Sequence, residues 1–217
     1  MIALSTAYKE ALVAVEIDGE KALRNLDANC KHSENLLSTL DEALNSCNKT
    51  LADNDTFAVV IGPGSFTGVR IATALVKGLV AGQQTKNILP LTTFQLMAYS
   101  YINQFAPTEE FVCIINGLSG NYFVCKFDCG GQAITKPDMV DKSGLEGISC
   151  LKIGLKEEML GDRQVQPSAQ DLLDLAKKNM QKASLINGAE LVPIYLRKSQ
   201  AEVSLEEKEK NQKNSEN

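Results

Sequence analysis

The stretch Ile61-Gly62-Pro63-Gly64-Ser65-Phe66-Thr67-Gly68-Val69-Arg70 separates two apolar segments of the chain. Before it, residues 57–61 are apolar and partly β-branched, which predicts a buried strand. After it, residues 69–81 are long enough and apolar enough to form a buried helix. Glycines and a proline between the two segments predict a tight loop. A strand, a glycine loop and a helix start can hold an anion or pack two backbones closely.

The glycine loop matches neither of two common phosphate-binding motifs. A Walker loop needs Lys-Ser or Lys-Thr directly after its last glycine, but Val69 and Arg70 follow Gly68. A dinucleotide-binding fingerprint needs its third glycine where this chain has Thr67. The sequence therefore favours a packing role over nucleotide binding. The members of the glycine loop are Gly62, Pro63, Gly64, Ser65, Phe66, Thr67 and Gly68.

The helix predicted after the loop is apolar around most of its circumference. Arg70, Thr73 and Lys77 fall on one narrow polar stripe, and the other positions are apolar or small. A surface helix has a single apolar face, so this helix is expected to be buried on two sides, by its own sheet and by a second body. A wholly internal helix is the alternative. Small residues at i, i+4 and i+7 form a ridge that would let another helix approach closely: Ala74, Gly78 and Ala81.

Composition and charge exclude several classes of protein. Of the 217 residues, 44% are hydrophobic and 23% are charged, as in an ordinary globular protein with one large or two small domains. The net charge of -5 argues against a broad nucleic-acid surface, which requires clustered Lys and Arg. No apolar run approaches the ~20 residues of a membrane span, and no signal peptide is evident, so we expect a cytoplasmic protein.

The cysteines and the histidine restrict the chemistry further. The six cysteines form no Cys-x-x-Cys pair, and Cys113 and Cys125 lie in apolar runs, which predicts small core residues. His32 is the single histidine, so a two-histidine zinc site is excluded and a catalytic triad would have to include His32. Because His32 stands just before a predicted helix, a capping or surface role is favoured. We predict no catalytic residue and no metal site.

The order of predicted elements is the same in the two halves of the chain. The first half predicts strands at 2–7, 11–17, 21–26, 57–61 and 86–91, and helices at 33–47, 69–81 and 93–104. The second half predicts strands at 111–116, 122–128, 132–135 and 150–155, and a helix that Ser168 caps. Asp18-Gly19 and Gly130-Gly131 predict hairpin turns.

This duplication predicts two similar α/β lobes, each with a mixed sheet flanked by helices. We place the first lobe at residues 1–106 and a smaller second lobe at 107–198. Residues 199–217 are rich in Glu, Lys, Asn, Gln and Ser, and we predict that this tail is disordered or a solvated helix.

A duplicated chain of this kind resembles the actin, Hsp70 and sugar-kinase (ASKHA) superfamily. Within it, the glycine-loop motif and the Lys77-Gly78-Leu79 part of the following helix resemble the TsaB (YeaZ) family. The helix start His32-Ser33-Glu34 and the segment Pro193-Ile194-Tyr195-Leu196-Arg197 agree with it. The resemblance covers roughly residues 1–200.

That resemblance implies a non-catalytic scaffold or activator. TsaB-type proteins pair with the related TsaD, which attaches threonylcarbamoyl to the tRNA adenosine next to the anticodon, and the ATPase TsaE joins the complex. It implies a homodimer in isolation, and tRNA bound only through the complex. The family pairs through the two helices of the first lobe, here 33–47 and 69–82, as a four-helix bundle. The interface residues expected on this chain are Leu36, Leu40, Leu44, Ile71, Ala74, Leu75, Gly78 and Ala81.

Two turns depart from the pattern of the active superfamily members. Those members place a carboxylate in the first strand-turn of each lobe to hold Mg²⁺ and nucleotide phosphates. Here the two positions are Ser5 and Asn116. We therefore expect no cofactor of the chain's own, with ATP or ADP confined to a subunit boundary of the complex. Arg70 and Lys77 are weak candidates to contact it, and salt bridges to a partner are favoured.

Two other functions stay open at this point. One is an ATPase or small-molecule kinase of the same fold, and the other is a homodimer with an unrelated role. The family has been labelled a glycoprotease, but a single histidine makes a zinc peptidase chemically untenable.

Overall fold

Two five-stranded mixed sheets, one from each half of the chain, organise the molecule. The structure is a computed structural model, and it describes residues 1–26, 32–82, 87–181 and 184–196. Cys30, Arg197 and the predicted tail at 199–217 lie outside the described residues.

The first sheet has a hairpin meander on one side and parallel strands on the other. Its strands are β1 (Ile2–Ser5), β2 (Ala11–Ile17), β3 (Glu20–Leu26), β4 (Thr56–Val60) and β5 (Asn87–Leu91), in the order β3-β2-β1-β4-β5. β1 runs antiparallel to β2 and parallel to β4, so that Ile2 lies opposite both Val15 and Phe57. Every residue of β1 and β4 is buried, as expected for strands covered on both faces.

The second sheet repeats this topology. Its strands are β6 (Phe111–Asn116), β7 (Asn121–Phe127), β8 (Asp138–Asp141), β9 (Leu151–Leu155) and β10 (Arg163–Val165), in the order β10-β9-β6-β7-β8. β6 is antiparallel to β7 and parallel to β9, so it corresponds to β1. The predicted duplication of an ASKHA-type α/β lobe is therefore confirmed.

One predicted strand is wrong. Residues 132–135 form only an isolated bridge between Ala133 and Phe127, and β8 at Asp138–Asp141 takes the third place in the meander. The Asp128 carboxylate accepts hydrogen bonds from the backbone N–H groups of Gly130 and Gln132. This side-chain bonding stabilises an irregular loop and competes with a regular return strand.

Five α-helices cover the sheets within the described residues: α1 (His32–Ser46), α2 (Phe66–Leu79), α3 (Thr93–Phe105), α4 (Lys142–Glu146) and α5 (Ala169–Met180). A 3₁₀ turn, Lys156–Glu158, follows β9. Helix α2 begins three residues earlier than predicted because the Ser65 hydroxyl accepts a hydrogen bond from the Gly68 N–H and caps it. The sequence pattern did not predict α4.

Helices α1 and α2 pack on the outer face of the first sheet, whereas α3 and α5 lie between the two sheets. A single core cluster contains Ala3 of the first sheet, Phe94 of α3, Phe111 of the second sheet and Leu172 of α5. Helix α5 comes from the second half of the chain but packs on β2 and β1. The two halves thus share one hydrophobic core. The boundary between residues 106 and 107 stays a prediction.

Residues 184–196, the C-terminal segment, return to the first half of the molecule. Ile186 forms a two-way backbone bridge with Ile88 in β5, with N···O distances of 2.9 and 3.0 Å. Farther on, the Ile194 N–H donates to the Ile61 carbonyl at 2.7 Å. The end of the described chain is therefore attached to the start of the glycine loop.

Candidate functional site: the exposed face of helix α2 and the cleft between the sheets

The glycine loop packs tightly against the turn that follows β1. A Cβ atom added to Gly64 would lie 2.2 Å from the Ala7 carbonyl oxygen, and one added to Gly68 would lie 2.0 Å from the Thr6 carbonyl oxygen. The Ser65 N–H donates to the Ala7 carbonyl at 2.7 Å. These contacts explain why the positions are glycine, and they agree with the packing role that the sequence favoured.

Thr6 joins the same turn to helix α2. Its hydroxyl donates to the Gly68 carbonyl at 2.6 Å and accepts from the Ala72 N–H at 3.2 Å. Both bonds are buried, and they link residues far apart in the sequence. They fix the direction in which α2 leaves the loop, and so they fix which face of the helix meets solvent.

One face of α2 is buried and the opposite face is exposed. Val69, Ala72 and Val76 are buried against the first sheet, whereas Ala74 and Gly78 are exposed. A Cβ atom added to Gly78 would meet no atom of the described residues within 4 Å. The predicted ridge of small residues therefore lies on the surface of this chain, and Ala81 beyond the helix end is exposed too.

The half-buried residues Ile71, Leu75 and Leu79 border this ridge. The predicted polar stripe on α2 is corrected at one position, because Thr73 is buried and its hydroxyl donates to the Val69 carbonyl at 2.8 Å. Only Arg70 and Lys77 of that stripe are exposed.

Helix α1 does not present its leucine stripe to solvent. Leu36, Leu40 and Leu44 are 2%, 0% and 3% exposed, and they pack in the core between α1 and the first sheet. The expectation that these three leucines contact a partner is therefore wrong. The hydrophobic residue that α1 does expose is Leu37, at 48%.

Arg70 and Lys77 contact the C-terminal segment. The Arg70 guanidinium carbon lies 3.7 Å from the centre of the Phe66 ring, and Nε donates to the Tyr195 hydroxyl at 2.9 Å. The Lys77 ammonium donates to the Leu191 carbonyl at 3.1 Å. Both cations therefore have partners inside the chain. Their predicted contacts with a nucleotide or a second protein stay predictions.

Exposed hydrophobic side chains extend the surface of α2. Phe66 is 39% exposed, Tyr195 47% and Val192 60%. Phe66, Arg70, Ala74 and Gly78 follow one another at four-residue spacing, so they share one face of the helix. We call this group, together with Ile71, Leu75, Val192 and Tyr195, the α2 surface. Clustered exposed hydrophobic residues of this kind mark interaction sites. The motif Pro193 to Arg197 was the sequence signal for Tyr195.

The turn after β1 and the last residue of β6 both contact the 3₁₀ turn Lys156–Glu158. The Lys9 N–H donates to both carboxylate oxygens of Glu157, at 3.0 and 3.1 Å, and the Asn116 N–H donates to a carboxylate oxygen of Glu158 at 2.9 Å. Burial raises the pKa of both carboxyl groups above the ordinary value for Glu. No pattern in the sequence singles out Glu157 or Glu158.

The two positions that lack the expected carboxylate are Ser5 and Asn116. Ser5 is fully buried at the end of β1. The Asn116 side chain accepts a hydrogen bond from the Leu118 N–H at 2.9 Å and so closes its own turn. A cavity of about 310 Å³ lies beside the turn between β1 and β2, and residues of both halves line it, among them Tyr8, Glu10, Glu157 and Pro167.

The cysteines in the described ranges are free thiols. Cys113 in β6 lies opposite Cys125 in β7, and both are buried, as the sequence predicted. Burial raises the pKa of Cys125 to about 11, so this thiol is not ionised at neutral pH. His32 is the first residue of α1. None of the described helices has the length and apolar content needed to cross a bilayer.

Comparisons with known proteins agree with this description. The family model of the tRNA N6-adenosine threonylcarbamoyltransferase TsaD matches residues 26–146. The tRNA threonylcarbamoyladenosine biosynthesis protein TsaB of Haemophilus influenzae is 24% identical, and the alignment covers 91% of this chain and 93% of that protein. TsaB of Escherichia coli is 25% identical, with 96% and 99% covered.

Solved structures show the same fold. A Pseudomonas aeruginosa protein described as similar to the peptidase YeaZ superposes with a TM-score of 0.76 at 22% identity, covering 90% of this chain and 98% of that one. YeaZ from Pseudomonas aeruginosa gives a TM-score of 0.75 at 21% identity, with the same shares covered.

The repeated sheet order and the helices between the sheets define a protein of the duplicated ASKHA class. Within that class, the chain belongs to the TsaD family of its matching family model, and specifically to the TsaB (YeaZ) type.

Proposed function

We propose that this chain is a non-catalytic subunit of the complex that installs threonylcarbamoyl on the adenosine next to the anticodon of tRNA. Its relatives in Haemophilus influenzae and Escherichia coli are tRNA threonylcarbamoyladenosine biosynthesis proteins, and they align with 91% and 96% of the chain. Alignment over almost the whole chain supports a shared task. The proposed location is the cytoplasm, where tRNA is modified.

The exposed face of α2 is the observation that carries the proposal. Ala74 and Gly78 leave a flat strip in the middle of the α2 surface, and Ile71 and Leu75 border it. A second helix can approach such a strip closely, because small side chains keep the helix axes near each other. We propose that a TsaD-type protein covers this strip in the complex, and that a second copy of this chain covers it when the chain is alone.

The net charge and the turns between the sheets support our proposals for the other partners, which are tRNA, an ATPase and a nucleotide. With a net charge of -5, the chain is suited to meet tRNA only through the complex, and a TsaE-type ATPase is the proposed third member. Ser5 is buried and Asn116 closes its own turn, which supports a subunit without a nucleotide-hydrolysing centre of its own. Any ATP or ADP is proposed to bind at a subunit boundary.

The experiment is light scattering after size exclusion, on this protein alone and mixed with the TsaD-type protein of the same cell. A new species of 1:1 or 2:2 composition is expected. Ala74→Glu should weaken pairing at least tenfold, because it places a charge in an apolar contact, and Gly78→Leu should do the same through steric conflict. Both variants should stay folded, since these positions are exposed in the free chain.

Gly147→Leu is the matched control for Gly78→Leu. Gly147 is an exposed glycine with φ -70° at the end of α4, in the second half of the chain, where a leucine is tolerated. The control should pair like the unchanged protein. If no complex forms even with TsaE and ATP present, the subunit proposal is wrong. An ATPase or small-molecule kinase, for which the 310 Å³ cavity is the supporting observation, would then be the better proposal.

A further inference from the structure

The charged side chains on the two outer helices have opposite signs, and the proposed function leaves this difference unexplained. Those of α1 are Glu34, Asp41 and Glu42, and all three are acidic. Those of α2 are Arg70 and Lys77, and both are basic. The two helices pack side by side on the outer face of the first sheet. The surface that they form is therefore acidic along one helix and basic along the other.

On α1 the acidic side chains flank an exposed leucine. Glu34, Leu37 and Asp41 follow one another at spacings of three and four residues, so they lie in one stripe of the helix, which we call the acidic stripe. All three side chains are exposed. From Glu34 to Asp41 this stripe extends about 10 Å along the helix axis, which is two helical turns.

On α2 the basic side chains flank a small residue instead. Arg70, Ala74 and Lys77 form the basic stripe, at spacings of four and three residues, so it is as long as the acidic stripe. Neutral acceptors hold the two cations, the Tyr195 hydroxyl for Arg70 and the Leu191 carbonyl for Lys77. Neither cation forms an ion pair with a carboxylate among the residues that the structure describes.

The two stripes are complementary in charge and in shape. If α1 of one copy of the chain lies parallel to α2 of another, the acidic ends of one stripe lie over the basic ends of the other. Leu37 then lies over Ala74, where a small side chain leaves room for a large one and lets the helix axes stay close. Two-fold symmetry repeats the whole contact a second time.

A two-fold axis can stack this pair of helices on a second copy in two ways. If the axis is perpendicular to the helices, α1 meets α1 and α2 meets α2, so that like charges face each other. If the axis runs along the helices, α1 of each copy meets α2 of the other, which we call the crossed arrangement. Like charges that face each other across an interface oppose pairing, so charge favours the crossed arrangement.

We propose that a second copy of this chain covers α1 and the α2 surface in the crossed arrangement, and that the acidic and basic stripes select it. The inference rests on the part of the proposed function in which a second copy covers α2 when the chain is alone. It adds the chemistry that this partner must present, a basic stripe over α1 and an acidic stripe over α2. A second copy carries both.

The test is sedimentation equilibrium of the protein alone. Asp41→Lys and Lys77→Glu should each weaken the dimer at least tenfold, because each turns an attraction into a repulsion at two symmetry-related contacts. The double variant Asp41→Lys/Lys77→Glu faces opposite charges again and should recover most of the lost affinity. Glu109→Lys, the matched control, makes the same change of charge at an exposed position in the second half and should dimerise like the unchanged protein.

Salt provides a second measurement that needs no variant and so does not depend on a variant's folding. Added NaCl should weaken the dimer of the unchanged protein, because it screens the attraction between the stripes. A dimer that tightens with salt would have like charges facing each other and would overturn the proposal.

Two other outcomes would also overturn the crossed arrangement. One is that the single variants dimerise as tightly as Glu109→Lys, and the other is that the double variant fails to recover. An unchanged protein that stays monomeric would contradict the proposal as well. In each case light scattering with the TsaD-type protein still decides the proposed function separately.

Discussion

Helices α1 and α2 lie side by side on the outer face of the first sheet, yet they use their apolar residues differently. In α1, Leu36, Leu40 and Leu44 all point into the core, and the outer face is polar except for Leu37. In α2, Val69 and Val76 fill the core, and a second apolar strip with Ala74 and Gly78 remains outside. An amphipathic helix such as α1 buries its single apolar face completely against its own sheet. A helix that is apolar on two sides has surface left over for a partner.

The largest effect on the free energy of unfolding is expected when a buried side chain of α1 is truncated. Leu40 is fully buried, so Leu40→Ala removes packed volume and should lower the free energy of unfolding by about 4 kcal/mol. Leu37→Ala, at a 48% exposed position on the same helix, should cost less than about 1 kcal/mol. Urea denaturation of the two variants measures the difference. Equal losses would contradict the assignment of faces on α1.

A similar contrast is expected inside α2, between two of its glycines. Gly68→Ala would place a methyl group 2.0 Å from the Thr6 carbonyl oxygen, so the loop must shift, and the free energy of unfolding should fall by about 3 kcal/mol. Gly78→Ala adds the same group in open space and should stabilise the helix by up to about 1 kcal/mol. Thermal unfolding separates the two. A destabilising Gly78→Ala would place that residue in the interior.

The smallest effect concerns the cation on the α2 surface. Arg70→Ala removes the contact with the Phe66 ring and the hydrogen bond to Tyr195, and should cost about 1 kcal/mol of stability. Arg163→Ala, the matched control, removes a comparable contact with the Phe105 ring in another part of the molecule and should cost about as much. Only Arg70→Ala should weaken pairing with the TsaD-type protein. If both variants pair equally well, Arg70 lies outside the interface.

The sequence predicted the fold better than the site, and the reason is the range of the interactions. Strand periods, glycine turns and the cap at Ser168 depend on neighbouring residues, and these predictions hold. The return strand at 132–135 failed because the Asp128 carboxylate holds the following backbone in a loop, a local competition that hydrophobic alternation does not report.

The predictions of the site failed where a contact joins residues that are distant in the sequence. Which side of α1 faces the sheet depends on how the helix is placed, so the leucine stripe alone could not separate core from interface. The bonds from Lys9 to Glu157 and from Arg70 to Tyr195 connect residues more than a hundred positions apart, and no pattern along the chain reports them. The sequence motif that begins at Pro193 indicated the region of Tyr195, but it did not indicate that Tyr195 contacts Arg70.

The bond between the Ile194 N–H and the Ile61 carbonyl also has a consequence for the order of assembly during synthesis. The ribosome releases the glycine loop and α2 more than a hundred residues before Leu191 and Tyr195, which complete their surroundings. Helix α5, which covers the inner face of the first sheet, also comes late. The α2 surface therefore acquires its final form only after Tyr195 has been made.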